Sequence, residues 1–374
     1  MQIHINEKRP EKISKTPVLQ QTAFWAKVKR QQGIGSQAFD IQIRSDDIYI
    51  GDTQSRHVTD DVLVLLQSAG QNDVIGYVPY GPTLNPDDEN QGLFLEELSE
   101  TLRPNLPDNC VLLRYDLRWE SPWAKDHAYF DANGIWTGPP SRINQEIRVN
   151  FGTENWNLKK ANTNVLPPDT VFIDLLQDEE ELIANMKPKT RYNIRLSGRR
   201  RVRVRRGGIS DLELWYRLYR QTAQRNHICL HDLNYFQTVL NAETDELRSP
   251  ANVELLIAEK EHEPLAAMFL VFSGRRATYL YGASSSLHRN AMPTYALQWH
   301  AIKRAKQTGC RYYDMFGIAP KPDPAHPLYG LYRFKTGFGG NVFHRMGCWD
   351  YPLNERAYDT YRVSELNSQG YHLG

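Results

Sequence analysis

The sequence lacks the features that mark several large classes of protein. No apolar run approaches the roughly 20 residues that cross a bilayer, and no charged-then-apolar leader opens the chain. Its cysteines are widely spaced and form no CxxC pair: Cys110, Cys229, Cys310 and Cys348. Neither a zinc site nor a disulfide framework is therefore expected, and four reduced thiols in the cytoplasm are the simpler interpretation.

Motifs of nucleotide, metal and hydrolase chemistry are also missing. There is no GxxxxGK[ST] loop, no GxGxxG that opens a helix after a strand, no HExxH and no GxSxG. The net charge is +1 over 374 residues, so contact with a polyanion has to come from a local basic patch. The 40% hydrophobic content and the length favour two globular domains. Because the motifs above are missing, no bound metal or cofactor is expected.

Two distant stretches of the chain repeat the same order of elements. The first runs from VIGYVPYG to CVLLRYDLRW and the second from ATYLYGASSS to CRYYDMFG, each as strand, helix and strand. Apolar residues recur at helical spacing in both helices: Leu95, Leu98 and Leu102, then Tyr295, Trp299 and Ile302. A crossover of this kind joins parallel strands. The repeat therefore predicts a duplicated α/β (α+β) domain of acyltransferase type.

The boundary between the two domains is expected in the polar stretch NWNLKKANTNVLPPD, where Pro167 and Pro168 interrupt regular structure. The first domain should span residues 1–160 and be completed by 345–374. The second should span residues 165–344.

Helix ends are marked by capping residues. Thr22 and Asp211 are expected to cap two helices, and Asp178 with Glu181 matches a capping box. Pro293 is suited to a first helical turn.

The clearest compositional anomaly is KPKTRYNIRLSGRRRVRVRR, residues 187–206, with ten basic residues and no acid. Arg191, Arg195 and Arg199 fall four apart, on one face of a predicted helix, where like charges repel unless a polyanion compensates them. The alternative is a solvated helix followed by an alternating edge strand. RNA or phosphate contact and this structural interpretation both stay open.

A second candidate lies in GLYRFKTGFGG. Lys335 stands between Phe334 and several glycines, so its amine is expected to project from a mobile or tightly turned segment. Such a charge could face the oxyanion of an acyl-transfer intermediate, or it could belong to an ordinary surface lysine.

Other polar residues allow two interpretations each. Asp116 and Asp314 end apolar strands, a position that often borders a ligand crevice but also suits ion pairs. Tyr235 and Tyr281 can line a cleft or fill a core. Lys27 lies on a helix face opposite apolar residues and is by default a solvated charge.

Taken in order, FWAKVK, MKPKTRYNIRL and the run from YLYGASS through YYDMFGI to LYRFKTGFGG resemble the FemABX peptidoglycan aminoacyltransferases. The resemblance covers most of the chain, which lacks a long helical-hairpin insertion and so is similar to the compact FemX type. It implies twin acetyltransferase-like (GNAT-like) domains, the first of which binds the precursor. It also implies transfer of an aminoacyl group from aminoacyl-tRNA to an amine of the precursor's stem peptide, without a cofactor.

The resemblance assigns roles residue by residue. It places Phe334 and Lys335 near the acyl-transfer centre and makes Asp116 a candidate base. Precursor contacts fall on Lys27, His231, Tyr235 and Tyr281. His231 stands where the compact members carry an arginine, so a bidentate diphosphate clamp is not implied. Within residues 187–206 the expected tRNA contacts are Lys189, Arg191, Arg195 and Arg199.

The partners expected on this reasoning are aminoacyl-tRNA and a UDP-linked or lipid-linked muropeptide precursor. Peripheral contact with the inner face of the membrane and a monomeric state are also expected. One rival is an acyl-CoA-dependent N-acyltransferase, which needs a glycine-rich pyrophosphate loop where this chain has SSSLHRNAMPT. The other is a non-catalytic RNA-binding protein, which leaves Lys335 and the two tyrosines without a role.

Overall fold

The computed structural model describes residues 1–53, 56–70, 72–226, 230–242 and 248–367. Its strands are β1 (Ile3–Lys8), β2 (Gly35–Arg44), β3 (His57–Ser68), β4 (Val74–Val78), β5 (Cys110–Glu120), β6 (Lys159–Lys160), β7 (Asp169–Asp174), β8 (Arg203–Gly207), β9 (Asn252–Lys260), β10 (Glu263–Ser273), β11 (Arg276–Ser284), β12 (Tyr312–Asp314) and β13 (Asn341–Pro352).

Its α-helices are α1 (Ala23–Gln31), α2 (Ser45–Ile48), α3 (Gln91–Leu102), α4 (Pro122–Lys125), α5 (Arg142–Asn150), α6 (Glu179–Asn185), α7 (Pro188–Arg199), α8 (Leu212–Asn226), α9 (Leu233–Asn241), α10 (Pro293–Gln307), α11 (Tyr329–Lys335) and α12 (Glu355–Asn367). Short 3₁₀ turns are Pro10–Lys12, Leu19–Gln21, Arg103–Asn105, His127–Tyr129, Ile209–Asp211, Arg289–Ala291 and Thr336–Phe338.

The chain divides into two compact units. Unit 1 comprises Met1–Pro168, Glu246–Ser249 and His344–Gly374, and unit 2 comprises Asp169–Asp245 and Pro250–Phe343. In unit 1 the strands are hydrogen-bonded in the order β1-β2-β3-β4-β5-β13, and β6 pairs with β13. In unit 2 the order is β7-β12-β11-β10-β9-β8.

Each unit contains one strand–helix–strand crossover between parallel strands. In unit 1, α3 joins β4 to β5, and in unit 2, α10 joins β11 to β12. The other neighbouring strand pairs of the two units are antiparallel. The expectation of a mixed α/β fold built from two related halves is confirmed.

The crossover helices pack their apolar faces against the sheets, as helical periodicity requires. The prediction for α3 is confirmed, because Leu95, Leu98 and Leu102 are all fully buried. For α10 it is correct only in part. Ile302 is buried, but Tyr295 and Trp299 are half-buried, and the inner face also carries Leu297, Ala301 and Ala305. Small alanines let the helix approach the sheet closely, which leaves the large rings at its margin.

Most helix caps agree with the local sequence. Thr22 Oγ1 accepts a hydrogen bond from Trp25 N, and Asp178 and Glu181 form a reciprocal capping box. The cap predicted at Asp211 is wrong, because this residue ends a 3₁₀ turn before α8. Its carboxylate accepts from Gly208 N and pairs with Arg205, which offers a charged partner.

A buried ion cluster joins α12 to the sheet of unit 1. Arg114, on β5, donates to both oxygens of Asp350 at 2.7 and 2.8 Å. Its guanidinium also pairs with Glu365 of α12, and all three side chains are buried. Two carboxylates share one arginine here, so the guanidinium is the group on which the cluster depends.

Arg114→Met should destabilise the protein by about 3–5 kcal/mol, because two carboxylates lose their cation in a dry site. Urea unfolding followed by circular dichroism measures this. Arg44→Met is the control, since Arg44 pairs with Asp46 at the surface and its loss should leave the transition nearly unchanged. An equal loss in the free energy of unfolding for the two variants would contradict the prediction.

Candidate active site

Lys335 is the last residue of α11 and is only 5% exposed. Its Nζ donates to the carbonyl oxygens of Phe316 and Gly317 at 3.2 and 2.8 Å. The prediction that it projects from a mobile or tightly turned segment is therefore wrong. The helix holds the side chain inward, and the glycine-containing turn begins only after it.

The carbonyls that receive the amine are themselves held in place. Phe316 has a φ of +59°, a left-handed conformation that a bulky residue rarely adopts. Its N–H donates to Asp314 Oδ1 at 2.9 Å, and the same carboxylate oxygen accepts from Thr170 Oγ1 at 2.6 Å. Asp314 thus shapes the loop that binds Lys335. No local sequence signal predicted this role.

The Lys335 amine lies in a nearly dry environment. Its Nζ is 5.1 Å from the centre of the Tyr279 ring. Burial lowers the pKa of the Lys335 amine to about 7, against the attraction of the nearby Asp314 carboxylate. At neutral pH the group therefore exists in both charged and neutral forms, as a proton donor or acceptor in catalysis requires.

Phe334 and the turn after Lys335 connect this site to α7. The half-buried Phe334 ring packs edge-on against Tyr295 and Phe338, with centroids 5.0 and 5.3 Å apart. A Cβ on Gly337 would lie 2.4 Å from Thr190 Oγ1, so a larger residue there would displace the Thr190 side chain. Lys187 N also donates to Gly337 O at 2.9 Å, which ties the start of the basic helix to the turn beside Lys335.

A second group of site candidates gathers around α9. Asp232 caps this helix by accepting from Tyr235 N at 2.7 Å. The hydroxyls of Tyr235 and Tyr281 are hydrogen-bonded, and the ring of His231 stacks on Tyr235 at 4.2 Å. The structure therefore brings together three residues that are separated by up to 50 positions in the sequence.

Strand β11 serves both groups. Its pairing with β10 shifts register between Phe269 and Leu270, which oppose Tyr281 and Tyr279 respectively. Tyr279 packs with the Lys335 site, whereas Tyr281 joins the aromatic cluster around Phe236. Tyr279 was not predicted as a site residue. Regular alternation would have placed it on the same face as Tyr281, whereas the register shift directs the two side chains to different groups.

Asp116 does not end its strand, contrary to the sequence-based expectation. It lies within β5 and is 0% exposed. Its Oδ2 accepts from Tyr77 Oη at 2.9 Å and from Leu166 N at 2.8 Å. Burial raises the pKa of the Asp116 carboxyl, against the hydrogen bonds from Leu166 and Tyr77. This placement favours a role in holding the loop at Leu166 over direct contact with a substrate amine.

Lys27 lies on α1 among buried neighbours and is itself half-buried. Two positions later, Lys29 stacks over the Trp25 ring at 4.9 Å, and burial lowers the pKa of its amine to about 8. Cys110, Cys310 and Cys348 are buried free thiols, while Cys229 lies outside the described residues.

The basic segment is heterogeneous in the structure. Arg191 donates to the carbonyl oxygens of Ala184 and Met186, so its guanidinium is engaged at the end of α6. Arg205 pairs with Asp211 and Glu259. In the described part of the chain, the following side chains form no ion pair: Lys189, Arg195, Arg199, Arg200, Arg201 and Arg203.

Beside these cations, α7, β8 and α10 border a groove of about 230 Å³. Its lining includes Ile194 and Val204 on one side and Trp299 with Lys303 on the other. The Lys303 amine lies 5.7 Å from the centre of the Trp299 ring. Val202 and Val204 pack against the core, as the alternating edge strand of the second interpretation requires. Most of the basic side chains in the segment, which lies wholly within the described residues, nevertheless form no ion pair.

Comparison with known proteins identifies the family. The model of the FemAB family matches residues 11–248 and 242–365, so the chain belongs to the FemAB family. The lipid II:glycine glycyltransferase of Staphylococcus epidermidis is 24% identical over 252 residues, which are 52% of this chain and 60% of that protein. The enzyme of the same name from Staphylococcus aureus is 24% identical over 292 residues, covering 58% and 69%. The chain thus spans only part of these relatives.

The crystal structure of FemX superposes on this chain with a TM-score of 0.68 at 17% identity, covering 96% of this chain and all of that one. The shared fold is thereby established. Within the described ranges, no helix combines the length and apolarity needed to cross a membrane.

The lowered pKa of Lys335 predicts a particular pH dependence of stability. Its folded-state pKa of about 7 lies below the ordinary value of 10.5, so the folded state binds fewer protons between these values. The stability of the parent protein should therefore rise with pH in this window, relative to Lys335→Met. The free energy of unfolding of Lys335→Met minus that of the parent should therefore decrease by roughly 2–4 kcal/mol between pH 7 and pH 10.

Urea unfolding at several pH values measures this difference, in which contributions from groups that do not interact with Lys335 cancel. Lys189→Met, which removes an exposed amine from α7, serves as the control for loss of one charge. If the difference in free energy of unfolding between the parent and Lys335→Met does not change with pH, the Lys335 amine is hydrated in the folded protein.

Proposed function

We propose that this protein transfers an aminoacyl group from aminoacyl-tRNA to an amine on the stem peptide of a lipid-linked peptidoglycan precursor, building an interpeptide bridge. Membership of the FemAB family and the names of the relatives, which act on lipid II as glycyltransferases, support the reaction class. The observation that carries the proposal is the desolvated Lys335 amine, with a pKa of about 7, next to the start of the basic helix.

The proposed reaction is direct aminolysis of an ester. The acceptor amine, bound without its extra proton, attacks the carbonyl carbon of the aminoacyl ester and forms a tetrahedral intermediate. The intermediate then collapses: the bond between the carbonyl carbon and the ribose oxygen breaks, and the new amide is left on the acceptor. The proton lost by the attacking amine ends on the ribose hydroxyl, so atoms and charges balance without ATP or a covalent enzyme intermediate.

Lys335 is the proposed catalytic residue. In its ammonium form it stabilises the oxyanion and can donate a proton to the departing ribose oxygen. Phe334 helps to exclude water around it, since its ring packs with Tyr295 and Phe338. Orientation of the two substrates can supply about 7–11 kcal/mol of the acceleration, so no stronger nucleophile is needed.

The remaining candidates take binding or positioning roles in this proposal. Tyr235, Tyr281 and His231 present hydroxyls and an imidazole edge to the peptide portion of the acceptor. Lys27 contacts a phosphate of the precursor. Asp116, being fully buried, positions the loop at Leu166 and does not take a proton from the acceptor amine.

The basic surface of unit 2 supports the choice of tRNA as donor. Arg195 and Arg199 lie one turn apart on α7, which begins beside the turn that follows Lys335. A helix of 12 residues rises about 18 Å. The aminoacylated 3′ end would therefore lie towards Lys187, and the acceptor duplex towards Arg199, where guanidiniums can meet phosphates.

The direct test offers tRNA charged with radiolabelled glycine, and then with other amino acids in turn, together with lipid-linked or UDP-linked muropeptide. We expect label to move from tRNA to the lipid-linked precursor. No transfer from any charged tRNA to either acceptor would refute the proposed function.

Lys335→Met should lower turnover by about 10²–10³ in this assay, because one oxyanion partner is lost. The Michaelis constant for the precursor should change little, since the ammonium acts only as charge develops. Lys15→Met, at an exposed lysine of unit 1 to which no role is assigned, serves as the control for loss of a lysine outside the acyl-transfer site. Normal turnover at saturation with weakened precursor binding would make Lys335 a binding residue.

Replacing Arg195 and Arg199 with Gln should weaken tRNA binding and reduce the slope of log affinity against log salt by up to about 2, nearly one for each lost duplex contact. Arg205→Gln is the matched control, because this arginine is already paired with two carboxylates and should leave the slope unchanged. Fluorescence anisotropy of labelled tRNA at several salt concentrations measures both. An unchanged slope for the double variant would exclude this helix as the RNA contact.

A further inference from the structure

Helix α5 of unit 1 exposes large apolar side chains at helical spacing. Ile143, Ile147 and Phe151 follow one another at intervals of four, with 68%, 49% and 76% of each residue exposed. Trp156, in the turn that follows, is 50% exposed. We call these four residues the α5 face. Contiguous apolar surface of this kind, on a chain with well-filled cores, marks an interaction site.

The opposite side of the same helix explains why the α5 face cannot turn inward. Gln145 and Val149 are buried there, and a Cβ on Gly92 of α3 would lie 1.6 Å from Val149 O. The two helices therefore pack as closely as a glycine allows. Ser141 caps α5 by accepting from Asn144 N, which sets where the helix begins.

The turn that carries Trp156 is also firmly held. The buried carboxylate of Glu96 accepts from Glu154 N and Asn155 N at 2.6 and 2.9 Å. Asn150 bonds through its side chain to the backbone of Leu158 in both directions. Trp156 itself has a φ of +50°, a costly conformation for an aromatic residue. Packing and hydrogen bonds thus present these rings to solvent on a rigid support.

Charges around the α5 face favour an anionic partner. Residues 142–160 contain four basic and two acidic residues, but the Lys160 amine is directed inward, to the carbonyls of Met346 and Cys348. Arg148 is exposed between Ile147 and Phe151, and Lys159 follows Trp156. Of the acids, Glu146 is engaged by Arg142 and by Lys160 N, so its charge is largely compensated.

We propose that the α5 face is a docking site for the interfacial region of a bilayer that contains anionic lipid. The helix would lie in the plane of the membrane, with its isoleucines and Phe151 among the upper acyl chains and Arg148 beside the headgroups. Trp156 suits the boundary between headgroups and hydrocarbon. The inference rests on the proposed function in one respect: a lipid-linked acceptor is confined to a bilayer, where unit 1 would then be concentrated.

A second copy of the chain fits this surface less well. Four partly exposed side chains offer on the order of 400–500 Å², whereas a stable protein interface buries about 800 Å² on each partner. Arg148, which borders this helical face, would also bring an added cation from each copy to a two-fold interface. A bilayer requires no matching surface and accepts a cation at its headgroups.

The test is flotation of the full-length protein with vesicles of phosphatidylethanolamine and phosphatidylglycerol, without tRNA or acceptor. We expect the parent to bind, and the variant with Ser at positions 143, 147, 151 and 156 to lose at least 10-fold in partition coefficient. The control is Leu176→Ser, which removes a residue that is 63% exposed in unit 2 and should leave binding unchanged. Arg148→Gln should weaken binding to these vesicles but not to phosphatidylcholine vesicles.

Absence of vesicle binding by the parent, or equal binding by the four-serine variant, would overturn the inference. So would a parent dimer in sedimentation velocity that the variant abolishes, because the surface would then be a protein interface. Far-ultraviolet circular dichroism and the unfolding transition verify that the variant folds, and Phe151→Ser alone provides a milder change. Transfer to a lipid-linked acceptor dispersed in detergent should be equal in parent and variant. No transfer by either protein to a lipid-linked or a UDP-linked acceptor would refute the proposed function and leave the vesicle result standing.

Discussion

The burial of one lysine amine is the constraint on which the arrangement of unit 2 depends. A charged amine is expensive to remove from water, so its site needs aligned acceptors and a low pKa. The carbonyls of Phe316 and Gly317 supply the acceptors, and Asp314 holds the strained backbone that aims them. Burying Lys335 lowers the stability of the folded protein, and the same burial gives an amine that can exchange a proton at neutral pH.

The duplicated halves use the same repeated carboxylate differently. Asp314 and Asp116 follow corresponding crossover helices, and both are buried. Asp314 organises the loop that receives Lys335, whereas Asp116 binds Leu166 N and Tyr77 Oη. Unit 1 even has its own desolvated amine, since Lys160 donates to two carbonyls of β13 and burial lowers its pKa to about 8. Under the proposed function, the carboxylate of one half therefore positions a catalytic amine, whereas the carboxylate of the other half has a structural role.

Charge is also divided between structural and available groups. Arg114 and Arg205 are satisfied by two carboxylates each, and Arg191 closes a helix. Arg195 and Arg199 remain on the surface of the same basic stretch. A near-neutral chain can therefore still present a local field to a polyanion, because its acids are placed beside some arginines and not beside others.

The sequence by itself determined the features that rest on local signals. Helical periodicity, capping residues and the repeated strand–helix–strand order predicted the parallel crossovers, the buried face of α3 and the Asp178–Glu181 capping box, because each depends on neighbours a few residues away. Only the tertiary structure decided which polar groups are dry. The inward direction of Lys335, the engagement of Arg191, the burial of Asp116 and the outward α5 face all depend on elements distant in the chain, and desolvation is set by everything that packs around a group.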